Sequence, residues 1–136
     1  MAGHKLVIKY QDGKIIKGWI ENFNPKRDTV LIHPLKEYSL EETIEINLSE
    51  LKAIFFVKDF IGNSTFQKAK TFDNYPPGTP TQRHMIIHFK DGEKLYGTSY
   101  SYNPNKNGFF VYPIDSMDNN IRIFVLKDAT EEVEFP

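Results

Sequence analysis

Histidines, carboxylates and turn asparagines are the residues of this chain with chemistry to offer, and their spacing gives little scope for catalysis. The four histidines are His4, His33, His84 and His88. His84, Ile86 and His88 alternate within a stretch rich in apolar residues, so both imidazoles project from one face of a strand, about 14 Å apart by strand rise. That separation is too wide for one metal ion. The absence of cysteine excludes disulfides, thiolate metal centres and cysteine nucleophiles. No serine, histidine and acid fall into a triad-like arrangement, and Asp12 and Asp91, each followed by glycine, read as turn formers rather than an acid/base pair. The stretch from Asp12-Gly13 to Gly18 is the nearest thing to a phosphate loop, and no helix follows it to present an anion-binding terminus. Glu131, Glu132 and Glu134 read as a solvated strand edge that discourages pairing. The chain is therefore expected to be a non-enzyme with no catalytic residues, no metal and no cofactor.

Charge narrows the partners. Seventeen basic and eighteen acidic residues leave a formal charge of −1, whereas a nucleic-acid binder draws most of its non-specific affinity from a basic surface. Nucleic acid is accordingly disfavoured as a partner, though a local basic patch would permit it. The longest apolar runs, such as Ala53-Ile54-Phe55-Phe56-Val57, are far too short for a membrane span. Met1-Ala2-Gly3-His4-Lys5 leads directly into strand-like sequence without a secretory leader, and a cytoplasmic location is expected.

The elements that must position any site come from an internal repeat. Lys5 to Pro34 aligns without a gap on His84 to Pro113, 79 residues on, and seven of thirty positions are identical. These are Ile8/Ile87, Asp12/Asp91, Gly13/Gly92, Gly18/Gly97, Asn24/Asn103, Pro25/Pro104 and Pro34/Pro113. Most are turn residues, so the copies share backbone geometry. Leu6 to Tyr10 and Met85 to Phe89 have strand composition, and the Asp-Gly pairs after them make tight hairpin turns. A long second strand follows, from about Lys14 to Asn24 and from Glu93 to Asn103, each with an internal glycine that marks a sharp bend. Asn-Pro supplies the next turn, and Val30 to Ile32 and Phe109 to Tyr112 form third strands. Thr43 to Leu48 and Asn120 to Val125 read as fourth strands, and Lys52 to Lys58 and Thr130 to Phe135 as fifth strands. Ser49 to Leu51 and Lys127 to Ala129 have room for one helical turn each. The division is a first unit over 1–60, a proline-containing linker over 61–82 and a second unit over 83–136. Asn74 to Pro80 in the linker reads as a stiff connector rather than a docking peptide.

The order DG-x-x-apolar-x-G, followed by an aromatic, an Asn and a later Asp or Asn before an apolar strand, resembles the first motif of Sm and Sm-like proteins. Asp12, Gly13, Gly18, Phe23, Asn24, Asp28 and Leu31 fall in register in one copy, and Asp91, Gly92, Gly97, Tyr102, Asn103, Asn107 and Phe110 in the other. The resemblance implies an all-β fold of two tandem five-stranded Sm-like barrels, of the Src-homology-3 type, packed with approximate two-fold symmetry. It also implies nucleic-acid loop positions at Asn24, Lys26, Asp28, Asn103, Asn105 and Asn107. The stacking positions, Lys26 and Asn105, are not aromatic, one base-reading position is Asp28, and no Arg-Gly pair occurs in the fourth or fifth strands. The uridine-binding mode is therefore expected to be lost. The whole chain is also similar to a family of bacterial proteins of unknown function with LKA-[IV]-FFVKDF-x-G and GFF-x-x-P-x-D…NN-x-R-x-F signatures, here Leu51 to Gly62 and Gly108 to Phe124.

Aromatic residues make up 14% of the chain, more than one small core needs. In Ile54-Phe55-Phe56-Val57 both strand faces are apolar, so one fills its own barrel and the other requires a cover, which the second repeat can supply. Tyr100, Tyr102, Phe110 and Tyr112 are the alternative, a ligand-binding aromatic patch. The leading expectation is a non-catalytic binding or scaffold module acting through contacts with a protein whose identity the sequence leaves open, along with the oligomeric state. An RNA- or single-strand-binding protein is the second reading, and a small-ligand sensor between the barrels the third.

Overall fold

A computed structural model describes residues 3–62, 68, 70–73, 75–78, 81–100 and 102–136. Its ten strands are β1 (His4–Tyr10), β2 (Ile15–Ile20), β3 (Thr29–Pro34), β4 (Ile44–Asn47), β5 (Leu51–Val57), β6 (Arg83–Phe89), β7 (Lys94–Ser99), β8 (Gly108–Pro113), β9 (Asn120–Leu126) and β10 (Thr130–Glu134). Single 3-10 turns, Leu48–Glu50 and Lys127–Ala129, precede β5 and β10. Among the described residues no helix is long and apolar enough to cross a membrane.

The turn chemistry is that of the sequence. Gly13 and Gly92 have φ of +93° and +94°, and each donates its N–H to the residue three positions earlier, Tyr10 or Phe89. The Asp12 and Asp91 carboxylates accept the N–H of Lys14 and Glu93 at 2.8 and 3.0 Å, and Asn24 and Asn103 do the same for Lys26 and Asn105 at 3.0 and 2.9 Å. The second strands are shorter than their composition suggests and end at Ile20 and Ser99. Phe23 and Tyr102 lie beyond those ends, packed against the two cores.

Strand pairing repeats at the same spacing. Leu6 opposite Gly18 recurs as Met85 opposite Gly97, Gly18 opposite Pro34 as Gly97 opposite Pro113, and Val30 opposite Ile46 as Phe109 opposite Val125. Even the register shift between β1 and β5, beside Tyr10 and Leu51, recurs between β6 and β10, beside Phe89 and Thr130.

The arrangement of the two sets differs from two closed barrels related by a two-fold. All ten strands form one antiparallel sheet in the order β10-β6-β7-β8-β9-β5-β1-β2-β3-β4, with no ladder from β4 to β5 or from β9 to β10. A two-fold would set a strand against its own counterpart. Here β5, fifth in the first set, pairs with β9, fourth in the second, through Ala53 opposite Val125, Ile54 opposite Phe124 and Phe55 opposite Ile123. The join is edge to edge and head to tail because both strands are apolar on both faces. Period two then sends alternate residues into different cores. Ile54, Phe56, Phe124 and Leu126 belong to the core built on β1 to β4, while Ala53, Phe55, Val57, Ile123 and Val125 belong to the one built on β6 to β8. Phe55 and Val57 thus find their cover in the second set, as the pattern of β5 requires.

Candidate functional site

Two asparagine-proline loops, 79 residues apart in sequence, come together at the seam. Pro25, Lys26, Asn105, Lys106, Asn107, Phe110 and Phe124 line a cavity of about 450 Å³. A second cavity of about 250 Å³, lined by Arg27, Asp28, Ser49 and Asp128, shares Pro25, Asn107 and Phe124 with the first. The two adjoin at these shared residues, and together they are called the cleft. Its loops are held by matching hydrogen bonds: the carbonyl of Asp28 accepts the N–H of Leu48 at 2.9 Å, and that of Asn107 accepts the N–H of Lys127 at 2.8 Å. Lys127 Nζ also donates to the carbonyl of Pro104.

An aromatic cluster stiffens the cleft. The Phe23 ring centroid lies 5.0 Å from that of Phe124 and 5.9 Å from that of Phe110, both edge-on, and Phe110 lies 5.1 Å from Phe124. The Arg122 guanidinium sits 4.4 Å from the ring centroids of both Phe56 and Phe110, tying the two strand sets together by cation–π contact. Cationic Lys26, Arg27 and Lys106 are set against Asp28 and Asp128 in the cleft lining, so its charge is mixed.

Of the loop positions marked in the sequence, Lys26, Asp28, Asn105 and Asn107 line this cleft. Asn24 and Asn103 are occupied in their own turns. Arg27 and Lys106, from within the same loops, and Phe124 and Asp128, from β9 and the turn after it, join them; pairing of β5 with β9 sets Phe124 and Asp128 beside the first loop, and no local pattern marks them. The four aromatics of the proposed patch do not form one surface. Phe110 packs against the first core, and Tyr102 lies 4.9 Å from Phe109 and 5.2 Å from Phe135 at the second. Tyr100 and Tyr112 form an edge-on pair at 4.9 Å beside Tyr75, Pro76 and Pro77. Asn74, Thr79 and Pro80 of the connector lie outside the described residues.

The two neighbouring histidines have separate roles. His84 stacks on Phe72 with ring centroids 4.2 Å apart, and His88 shares a 2.6 Å hydrogen bond with Glu134. With Glu132, the ligand atoms of His88 and Glu134 lie within 4.8 Å of one another, the one group among the described residues with metal-like spacing, and the imidazole–carboxylate bond already accounts for two of the three. Across the seam, Lys52 Nζ of β5 donates to Asp91 at 2.6 Å and to Glu93 at 2.5 Å. Burial pulls the Lys52 ammonium down, but the two hydrogen bonds outweigh it and its pKa is raised; the same Lys52 bond holds the Asp91 carboxyl below its ordinary range. Burial lowers Lys9, whose ammonium lies 4.8 Å from the Phe55 ring centroid.

No curated protein and no solved structure matches the chain. Residues 2–135 match the family of unknown function DUF6982, and the chain, which that match covers almost completely, belongs to this family.

Proposed function

We propose that the protein is a non-catalytic binding module and that its site is the cleft at the β5–β9 seam, where it takes an extended segment of a partner protein. One observation carries this reading: two loops far apart in sequence together line both of the adjoining cavities. The chemistry suits a polypeptide. Asn105 and Asn107 offer amide donors and acceptors, Phe110 and Phe124 an apolar floor, and the mixed charges a means of selecting side chains of either sign. Phosphates would meet Asp28 and Asp128 as well as the lysines, which weakens the nucleic-acid alternative without removing Lys26, Arg27 and Lys106 that favour it. Each five-strand set, with its Asp-Gly turn and the close approach of its second-strand glycine to the third strand, supports our reading of the chain as two fused Sm-like units, for which we propose a cytoplasmic location.

A photo-crosslinking amino acid placed at Asn105, and at exposed Glu37 as control, tests the assignment in cells. The expected result is a discrete protein adduct from position 105 that is absent from position 37. Nucleic-acid adducts at 105 would favour the alternative, and equal labelling at both positions would refute the cleft as the site.

A further inference from the structure

The seam between β5 and β9 is a head-to-tail contact, and such a contact leaves its two halves free at the opposite ends of the molecule. The free edges are β4 and β10, which stand to their own strand sets as β9 and β5 do. A second copy could in principle add β4 to β10 in the same register. At the inner seam the side chains that cross into the neighbouring core, within the span that β10 and β4 match, are Ala53 and Phe55 from β5 and Phe124 and Leu126 from β9. Their equivalents 79 residues away on the outer edges are Glu132, Glu134, Glu45 and Asn47. Four of the five crossing apolar side chains are thus replaced by a carboxylate or an amide, and the fifth, Val57, corresponds to Pro136 beyond the end of β10. Glu134 turns back onto His88, the counterpart of Lys9, which at the inner seam lies over Phe55.

From this substitution we infer that β4 and β10 are the two halves of a second seam closed by Glu45, Asn47, Glu132 and Glu134, and that the protein works as a single capped pair with one cleft. Joining two copies would drive three carboxylates into apolar cores, only Glu134 among them with a cation-forming partner, His88, a cost that a four- or five-residue ladder does not offset. The occupant these edges fit is another copy of this chain, and the glutamates exclude it. The arrangement follows the general need of sheet proteins to protect open edges.

Opening one half in each of two chains provides the test. One variant carries Glu132→Ala with Glu134→Phe, and the other Glu45→Phe with Asn47→Leu, the residues of the inner seam. Mass in solution by light scattering should be that of one chain for the wild type and for each variant alone, and that of a 1:1 pair when the variants are mixed. A wild type that is already oligomeric, a variant that self-associates alone, or two folded variants that ignore each other would overturn the inference. Should either variant lose its native circular dichroism, Glu134→Leu and Glu45→Leu alone carry the same mixing test. Since the chain has no cysteine, a disulfide between Glu132→Cys of one chain and Ile46→Cys of the other reports the register directly.

Discussion

Glycines at two positions separate two physical limits that look alike in sequence. A Cβ at Gly13 would meet nothing within 4 Å, so only its positive φ constrains it. A Cβ at Gly18 would stand 2.9 Å from Pro34 Cα and 3.0 Å from the His33 carbonyl carbon, and one at Gly97 would stand 2.8 Å from the Tyr112 carbonyl oxygen. Gly13→Asn should therefore fold with little loss, Gly13→Val should cost about 1–2 kcal/mol through backbone strain, and Gly18→Val should cost about 1–3 kcal/mol or more through overpacking against β3. Denaturant midpoints of the three variants decide this, and a wild-type midpoint for Gly18→Val would contradict the close approach. Asp91 makes a pH-dependent contribution. A carboxyl held below its unfolded value adds stability that is present above about pH 4, the ordinary carboxylate range, and is lost as pH falls through the folded value. Asp91→Asn should consequently flatten the acid limb of a stability profile while lowering stability at neutral pH. Raised Lys52 contributes below the ordinary lysine value and loses that contribution as pH rises through its folded pKa, so Lys52→Met should also remove an alkaline limb.

At the scale of strands, β5 and β9 are the elements to probe, since each stabilises the core of the other set. Phe55 and Phe124 are 6% and 3% exposed, and replacing either by alanine should cost about 3–5 kcal/mol. Because Phe55 sits in the core of the second set, its loss should speed amide exchange in β6 to β8, and Phe124→Ala should do so in β1 to β4. Exchange confined to the mutated strand's own set would show that the cores are not shared. Strand existence was legible because hairpin glycines, Asn-Pro turns and β-branched runs act locally. The apolar second face of Ile54 to Val57 also signalled a cover from the other repeat. What covers it was not legible, since both face-to-face packing and edge pairing bury Phe55, and only the open ladder of β9 decides between them. The run from Glu21 to Asn24 reads as a continuation of β2 by its composition, but the chain bends at Glu21 and Phe23 has left the ladder for the aromatic cluster. The cleft was half visible, with its loop positions marked by the Asn-Pro turns and its floor hidden in a strand from the opposite end of the chain.

The molecule as a whole is two strand sets that cannot be separated without exposing large side chains. Phe55 and Val57 would leave the second core, and Phe124 and Leu126 the first, while the Lys52 pair with Asp91 and Glu93 and the Arg122 contact with Phe56 would break together. Each fully buried side chain of this size contributes about 1.5–3 kcal/mol, so four of them represent a sum comparable with the entire stability of a small domain. The intact chain should therefore unfold in one cooperative step, with calorimetric and van't Hoff enthalpies in agreement. Dividing the chain at exposed Pro77 should give two fragments that are unfolded or aggregate when made alone. Because the seam is a β ladder between strands on different fragments and needs no covalent link, the two should recover a folded 1:1 complex when expressed together. Phe55→Ala on the first fragment should weaken that complex. Two separately soluble fragments, each melting cooperatively, would mean that each set completes its own core and that the seam is an addition to two independent folds.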